Sequence, residues 1–168
     1  MAMDYAKVLK YLDVDFTVIG RSIEGTEKFY NQVGVTAIPH GLSNWKQKSP
    51  SRAKCGIIAV SCDALASTAI ALMDEGVRKI LLEKPAGLTA QQIQRVCVHA
   101  KKTESKVYIA YNRRFYASVR EAQKRIKKDG GVQSFNFEFT EWCDQIEKKL
   151  KASITGENWF LANSSHVV

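Results

Sequence analysis

Lys79-Ile80-Leu81-Leu82-Glu83-Lys84-Pro85 decides the fold. Lys79 to Leu82 is a short apolar run without polar alternation, the pattern of a parallel strand covered on both faces. Pro85 has no N–H to give to a sheet ladder, so the strand stops there. Proline also biases Lys84 toward an extended backbone. A lysine at the carboxyl end of a parallel strand points into the crevice where open α/β sheets bind ligands. An exposed Glu-Lys pair closing a strand is the plainer alternative, and these three letters alone do not separate the two.

The flanks repeat the strand–helix alternation. Upstream, Ala64 to Glu75 reads as a helix with Leu65, Ala69, Leu72 and Met73 inward and Gly76 as its stop. Before it, Cys55-Gly56-Ile57-Ile58-Ala59-Val60 is another buried strand, ending in the turn Ser61-Cys62-Asp63. Downstream, Thr89 and Gln92 make a capping box for a helix whose stripe is Ile93, Val96, Cys97 and Ala100. Lys106 to Ala110 is a further strand, and Tyr111-Asn112-Arg113-Arg114-Phe115 follows it.

This ordered set resembles the glucose–fructose oxidoreductase / inositol dehydrogenase (Gfo/Idh/MocA) family. The most specific parts are Glu83-Lys84-Pro85 in its helix–strand–helix frame and the later Asn112-Arg113-Arg114-Phe115 segment. The resemblance runs from about Val14 to Val168 and implies an NAD(P)-dependent oxidoreductase acting on sugars, inositols or nucleotide sugars. It implies a Rossmann-like α/β fold, a doubly wound and mostly parallel sheet, over residues 1–115. Residues 116–168 would then be a connecting helix and the beginning of an α+β substrate domain. The resemblance further implies catalytic roles for Lys84, holding the substrate oxygen, and His166, exchanging a proton. Ser61, Glu83, Lys84, Pro85, Asn112 and Arg114 would lie against the cofactor. Two positions depart from the family pattern near the cofactor turn: Ser61 stands where proline is usual and Leu65 where histidine is usual. Ala162 occupies the place of an acidic partner to His166, with Asn163 beside it.

Val14 to Ile19 alternates like a strand and ends in Gly20-Arg21-Ser22. Ser22 caps a helix with Ile23, Phe29, Tyr30 and Val33 apolar and Gly34 as its stop. In a dinucleotide-binding fold, an acid at the end of the second strand holds the ribose hydroxyl of NAD, whereas arginine suits the 2′-phosphate of NADP. Arg21 and Ser22 with no acid there point to NADP rather than NAD, against the alternative of an ordinary polar turn. Met1, Tyr5, Val8, Leu9 and Leu12 form a helical stripe before this strand. Val35 to Ile38 is a short strand, and His40 to Arg52 reads as loop containing one helical turn, with His40 exposed.

Gly-x-Gly-x-x-Gly does not occur in these 168 residues. The segment before Leu12 matches the back of a first Rossmann helix, so the expectation is a chain lacking the first strand and glycine turn at one end and most of a second domain at the other. Such a chain is expected to be inactive alone. A non-catalytic association module of the same fold is the alternative function.

Beyond Ser118 and Glu121, a second apparent capping box, Val119, Ala122 and Ile126 give a narrow apolar face, closed by Gly130-Gly131. From Val132 the alternation of Phe135, Phe137 and Phe139 with polar residues signals an antiparallel strand. The net charge of +8 is concentrated between Arg113 and Lys128. This charge fits either a nucleic-acid footprint or a solvated helix face plus a pocket for an anionic cofactor, and the absence of stacking platforms or a helix-turn-helix favours the latter. No apolar stretch reaches the ~20 residues of a membrane span. The expected partners are thus a sugar-like small molecule and further copies of the chain, with no nucleic acid and no membrane. The four cysteines form no Cys-x-x-Cys pair and read as buried, reduced thiols, which fits the cytoplasm; a structural metal is not expected.

Overall fold

A computed structural model describes residues 1–48, 53–138, 140, 146–147, 158–162 and 164–166. The chain divides into two compact units, Met1–Lys54 and Cys55–Val168.

The first unit contains α1 (Ala2–Tyr11), β1 (Val18–Ile19), α2 (Ile23–Val33), β2 (Ala37–Ile38) and α3 (Gly41–Lys48). β1 and β2 are parallel, with Val18 beside Ala37 and Ile19 beside Ile38. Ala6, Phe29, Val33 and Ala37 form its core, and Met3, Phe16, Val18 and Val35 pack against them. The Ser22 hydroxyl accepts from the Gly25 N–H at 3.2 Å, as its capping role requires. Gly34 ends α2 in the left-handed region (φ 69°). The Lys10 ammonium donates to the Val33 carbonyl at 3.0 Å, placing a cation at the negative end of the helix dipole.

Three expectations change in this unit. Pairing in β1 is confined to two residues of the Val14–Ile19 alternation, because β2 offers only two partners, and Val14 is exposed. The stripe on α1 is not its buried face: Val8 and Leu12 are exposed, and the helix meets the core through Ala6 and Met3. The stretch after His40 is an eight-residue helix rather than a loop with one turn. Its Trp45 is buried, and burial of so large a ring outweighs the weak helix preference of the serine and asparagine around it.

The second unit contains β3 (Cys55–Ile58), a 3-10 turn (Cys62–Ala64), α4 (Leu65–Asp74), β4 (Lys79–Leu82), α5 (Ala90–Lys102), β5 (Lys106–Ile109), a 3-10 turn (Asn112–Phe115) and α6 (Ala117–Lys128). Short helical segments follow at α7 (Trp159–Ala162) and Ser164–His166. β3, β4 and β5 form a parallel sheet in that order. Gly56, Ile80 and Val107 lie side by side, as do Ile58, Leu82 and Ile109. This set faces the helices: Ile58, Ile80 and Leu82 are buried together with Leu65, Ala69, Leu72 and Met73 of α4 and Val96 of α5. Each buried leucine, isoleucine or methionine contributes roughly 1.5–3 kcal/mol. Gly56 permits the close approach, since a Cβ there would lie 3.2 Å from a Leu72 methyl.

The opposite sheet face differs from the expectation of cover on both sides. Ile57 and Tyr108 are 40% and 59% exposed, and only Leu81 between them is half-buried. The apolar run was legible; which face it turns to a partner was not. Ser118 does not cap α6: the helix starts at Ala117 without a side-chain cap, and Glu121 pairs instead with Arg125 at 3.0 Å. Val119 is half-buried and Ile126 exposed, so α6 buries none of the residues on its narrow face. Among the described residues, 132–138 form no strand, and Phe135 is 85% exposed; an alternating segment becomes a strand only where a neighbour completes its ladder. Phe139 lies outside the described residues.

Cysteine burial is also corrected. Cys55 and Cys97 are exposed and Cys62 is half-buried, all as free thiols, and Cys143 lies outside the described residues. Cys97 neighbours the buried Val96, but α5 meets the core along too narrow a stripe to include both. Among the described residues there is no cluster able to hold a metal and no helix long and apolar enough to cross a membrane.

Candidate active site at the carboxyl end of the β3–β4–β5 sheet

Parallel strands deliver their carboxyl ends to one edge of the sheet. Ser61 and Cys62 follow β3, Glu83-Lys84-Pro85 follows β4, and Asn112 to Arg114 follow β5. The structure therefore brings six of the expected site residues, Ser61, Glu83, Lys84, Pro85, Asn112 and Arg114, to the same end of one sheet.

The central turn is held on both sides. The Glu83 N–H donates to the Ile58 carbonyl at 2.9 Å, and the Ala110 N–H donates to the Leu82 carbonyl at 2.9 Å. Glu83 is buried, 6% exposed, and its carboxylate accepts from the Lys84 N–H at 3.2 Å. The Lys84–Pro85 peptide is cis, and Ala86 follows in the left-handed region (φ 74°) with its N–H on the Glu83 carbonyl at 3.1 Å. Pro85, Ala86 and Gly87 are buried. A Cβ on Gly87 would lie 3.0 Å from the Gln92 Cβ, so the start of α5 packs tightly against the turn. The capping arrangement is a variant of the expected one: Thr89 accepts from the Gln92 N–H at 3.2 Å, but the Gln92 amide oxygen accepts from Leu88 at 2.7 Å.

Lys84 is half-buried, while Asn112, Arg113 and Arg114 are exposed. The Asn112 N–H closes the turn after β5 on the Ala110 carbonyl at 3.0 Å. Arg114 stacks over the Phe115 ring, 5.5 Å from its centroid, and Arg120 covers the same ring at 5.5 Å. Cys62, expected from its sequence to be a buried thiol, is half-buried in the turn beside this site. Burial pushes its thiol above the ordinary value, and the Lys84 ammonium acts in the opposite direction. Cys62 therefore sits within electrostatic reach of Lys84 and Glu83. No residue spacing signals this; it follows only from β3 lying next to β4.

Arg21 and Ser22 belong to the first unit, where Arg21 is exposed at the mouth of α2 and Ser22 is engaged as its cap. His166 ends the 3-10 turn Ser164–His166, and its side chain is outside the described residues, as is Asn163. Leu65 is fully buried, so the position where the resembled family places histidine is a core position here.

These turns place the Lys84 ammonium, the Asn112 amide and the Arg114 guanidinium at one end of the sheet. That donor set suits an anionic or carbonyl-bearing ligand at the switch from strand to helix.

No protein-family profile matches the sequence. No curated protein sequence matches it either. Solved structures do match. The WlbA dehydrogenase from Bordetella pertussis, in complex with NADH and UDP-GlcNAcA, superposes with a TM-score of 0.65 at 15% identity, over 76% of this chain and 39% of that one. Myo-inositol 2-dehydrogenase from Lactobacillus plantarum gives 0.69 at 17% identity, over 91% and 46%. A putative NADPH-dependent oxidoreductase from Desulfitobacterium hafniense gives 0.60 at 19% identity, over 70% and 33%. The chain thus spans less than half the length of these structures. Across that span it shares the α/β fold of these dehydrogenase structures, with parallel strands and their connecting helices.

Proposed function

We propose that this chain forms part of an NAD(P)-dependent oxidoreductase of the Gfo/Idh/MocA type, acting on a sugar, an inositol or a nucleotide sugar. The observation that carries the reading is the position of Lys84, half-buried after the central strand β4, between the Ser61-Cys62 turn after β3 and the Asn112 turn after β5. The resemblance to dehydrogenase structures, some with NADH bound, supports it.

The donor set fits a nicotinamide dinucleotide in part. Ser61, Glu83, Lys84, Pro85, Asn112 and Arg114 would hold the nicotinamide side, and Arg21 with Ser22 the adenosine ribose, with NADP preferred over NAD. When bound, the cofactor supplies the hydride acceptor or donor. Lys84 would bind the substrate oxygen and stabilise negative charge on it. His166 would hold or release the proton at that oxygen. Residues 1–115 would serve the cofactor and 116–168 would begin the substrate-binding part. Free thiols at Cys55, Cys62 and Cys97 suit a cytoplasmic protein, and self-association is the expected assembly.

The 168 residues contain no glycine-rich phosphate turn. Helix-terminal amides in such a turn are the main anchor of a pyrophosphate. These residues by themselves would therefore bind NADP weakly and not turn over. The test is a titration of the isotope-labelled chain with NADP, followed by amide chemical shifts. Ser61, Lys84, Asn112 and Arg21 should move together at high ligand concentration. Shifts absent there, or confined to the lysine-rich surface of α6, would overturn the reading.

A further inference from the structure

The surface formed by α6 and the residues flanking it is not used by the dinucleotide reading. In α6, Val119, Ala122 and Ile126 fall at positions i, i+3 and i+7 and share one narrow face. Arg120, Lys124, Lys127 and Lys128 lie off that face, and Arg125 is paired to Glu121. None of the twelve residues is buried. Large apolar side chains stand exposed at both ends of the helix: Phe115 at 60% and Tyr116 at 53% before it, Val132 at 61% and Phe135 at 85% after it.

The geometry points to a peripheral docking surface for an anionic phospholipid bilayer, with α6 lying flat and its basic residues facing lipid phosphates. Charge complementarity selects the occupant. A second copy would bring two strongly basic helices together, which repel. A nucleic-acid duplex would use the cations but leave Phe135 and the Val119–Ile126 face in water. A bilayer surface takes both: aromatic side chains enter the headgroup region while long lysine and arginine stems carry their charges to the phosphates. Net hydrophobicity is low and basic charge high, as for helices that lie in the interface rather than span it. The expectation of no membrane partner rested on the lack of a spanning segment, and a surface contact does not need one.

The test is sedimentation of the 168-residue chain with lipid vesicles. Vesicles of phosphatidylcholine with about a third phosphatidylserine should bind it, and phosphatidylcholine alone should not. Raising ionic strength from about 0.15 M to about 1 M should release it, because the screening length shrinks severalfold. Lys124→Glu with Lys127→Glu should weaken partitioning by at least about thirtyfold. Phe135→Ala should weaken it severalfold at unchanged helix content by circular dichroism; both sites are exposed, so folding is not at risk. No binding to the anionic vesicles, equal binding to both kinds, or release by a DNA duplex with no effect of Phe135→Ala would each overturn the proposal.

Discussion

The backbone N–H of Glu83 donates to the carbonyl of Ile58 at 2.9 Å, one residue beyond the last registered pair of β3 and β4. The ladder thus runs on into Glu83 and fixes the point at which Lys84 leaves the sheet. The ladder places Lys84 at the carboxyl end of β4 and sets the Ser61-Cys62 turn beside it. This makes the Cys62 thiol a reporter of Lys84.

The first prediction uses that reporter. Burial raises the Cys62 pKa, Lys84 lowers it, and Asp63 and Glu83 raise it. Lys84→Ala removes the lowering charge, so the thiol should titrate at still higher pH. Alkylation of the Cys62 peptide followed by mass spectrometry across pH 7 to 10 should show the midpoint move up and the rate at about pH 8 fall. An unchanged profile would mean that the Lys84 ammonium does not face the turn after β3.

Gly20 tests the packing of the first unit. A Cβ at Gly20 would collide with the Thr26 methyl, and Thr26 is buried with its hydroxyl on the Ile23 carbonyl at 2.6 Å. A short, β-branched, hydrogen-bonded side chain has little room to yield. Gly20→Ala should cost about 1–3 kcal/mol in denaturant unfolding. Thr26→Ser, which deletes the methyl and keeps the hydroxyl, should recover most of that loss in the double variant. Additive effects of the two changes would refute the contact.

Three helices end in one geometry, with a residue in the left-handed region and paired hydrogen bonds back into the last turn. Asp13, Gly76 and Glu104 hold that position after α1, α4 and α5. After α5, the Ser105 N–H reaches the Ala100 carbonyl at 2.8 Å. Left-handed backbone costs an L-residue about 1–2 kcal/mol, partly offset in a glycine variant by its freer unfolded chain. Glu104→Gly should raise stability by about 0.5 kcal/mol. A loss of stability would show that the Glu104 side chain contributes more than its backbone conformation costs.

These endings show what a sequence discloses. Ser22 and Gly34 bracket α2 as expected because capping chemistry is local, and the Lys79–Leu82 run is a strand because its pattern and its proline stop are local too. The gathering of Ser61, Lys84 and Asn112 followed from one nonlocal rule, that parallel strands share a carboxyl edge. Cover is different. Ile57, Tyr108, Cys97 and Val8 carry the same apolar letters as their buried neighbours, and their exposure depends on which helix crosses which face. Trp45 made a helix of a polar stretch for the converse reason, since one large buried ring decides a segment whose other residues do not.

The last prediction concerns Arg21. It follows β1 and precedes the Ser22 cap, is exposed, and has no carboxylate beside it in sequence to claim a ribose hydroxyl. If this turn receives the adenosine ribose, a guanidinium there favours a 2′-phosphate through a charge-assisted hydrogen bond, worth about 1–3 kcal/mol. Arg21→Ala should therefore weaken NADP by roughly tenfold or more and leave NAD nearly unchanged. Arg21→Lys keeps the charge without the planar fork and should fall between them. Because Arg21 is exposed and Ser22 alone makes the capping bond, neither variant should alter the helix content or the unfolding midpoint. Equal losses for NADP and NAD would assign Arg21 to the general field of the crevice, and no loss for either would return Gly20-Arg21-Ser22 to an ordinary turn that starts a helix.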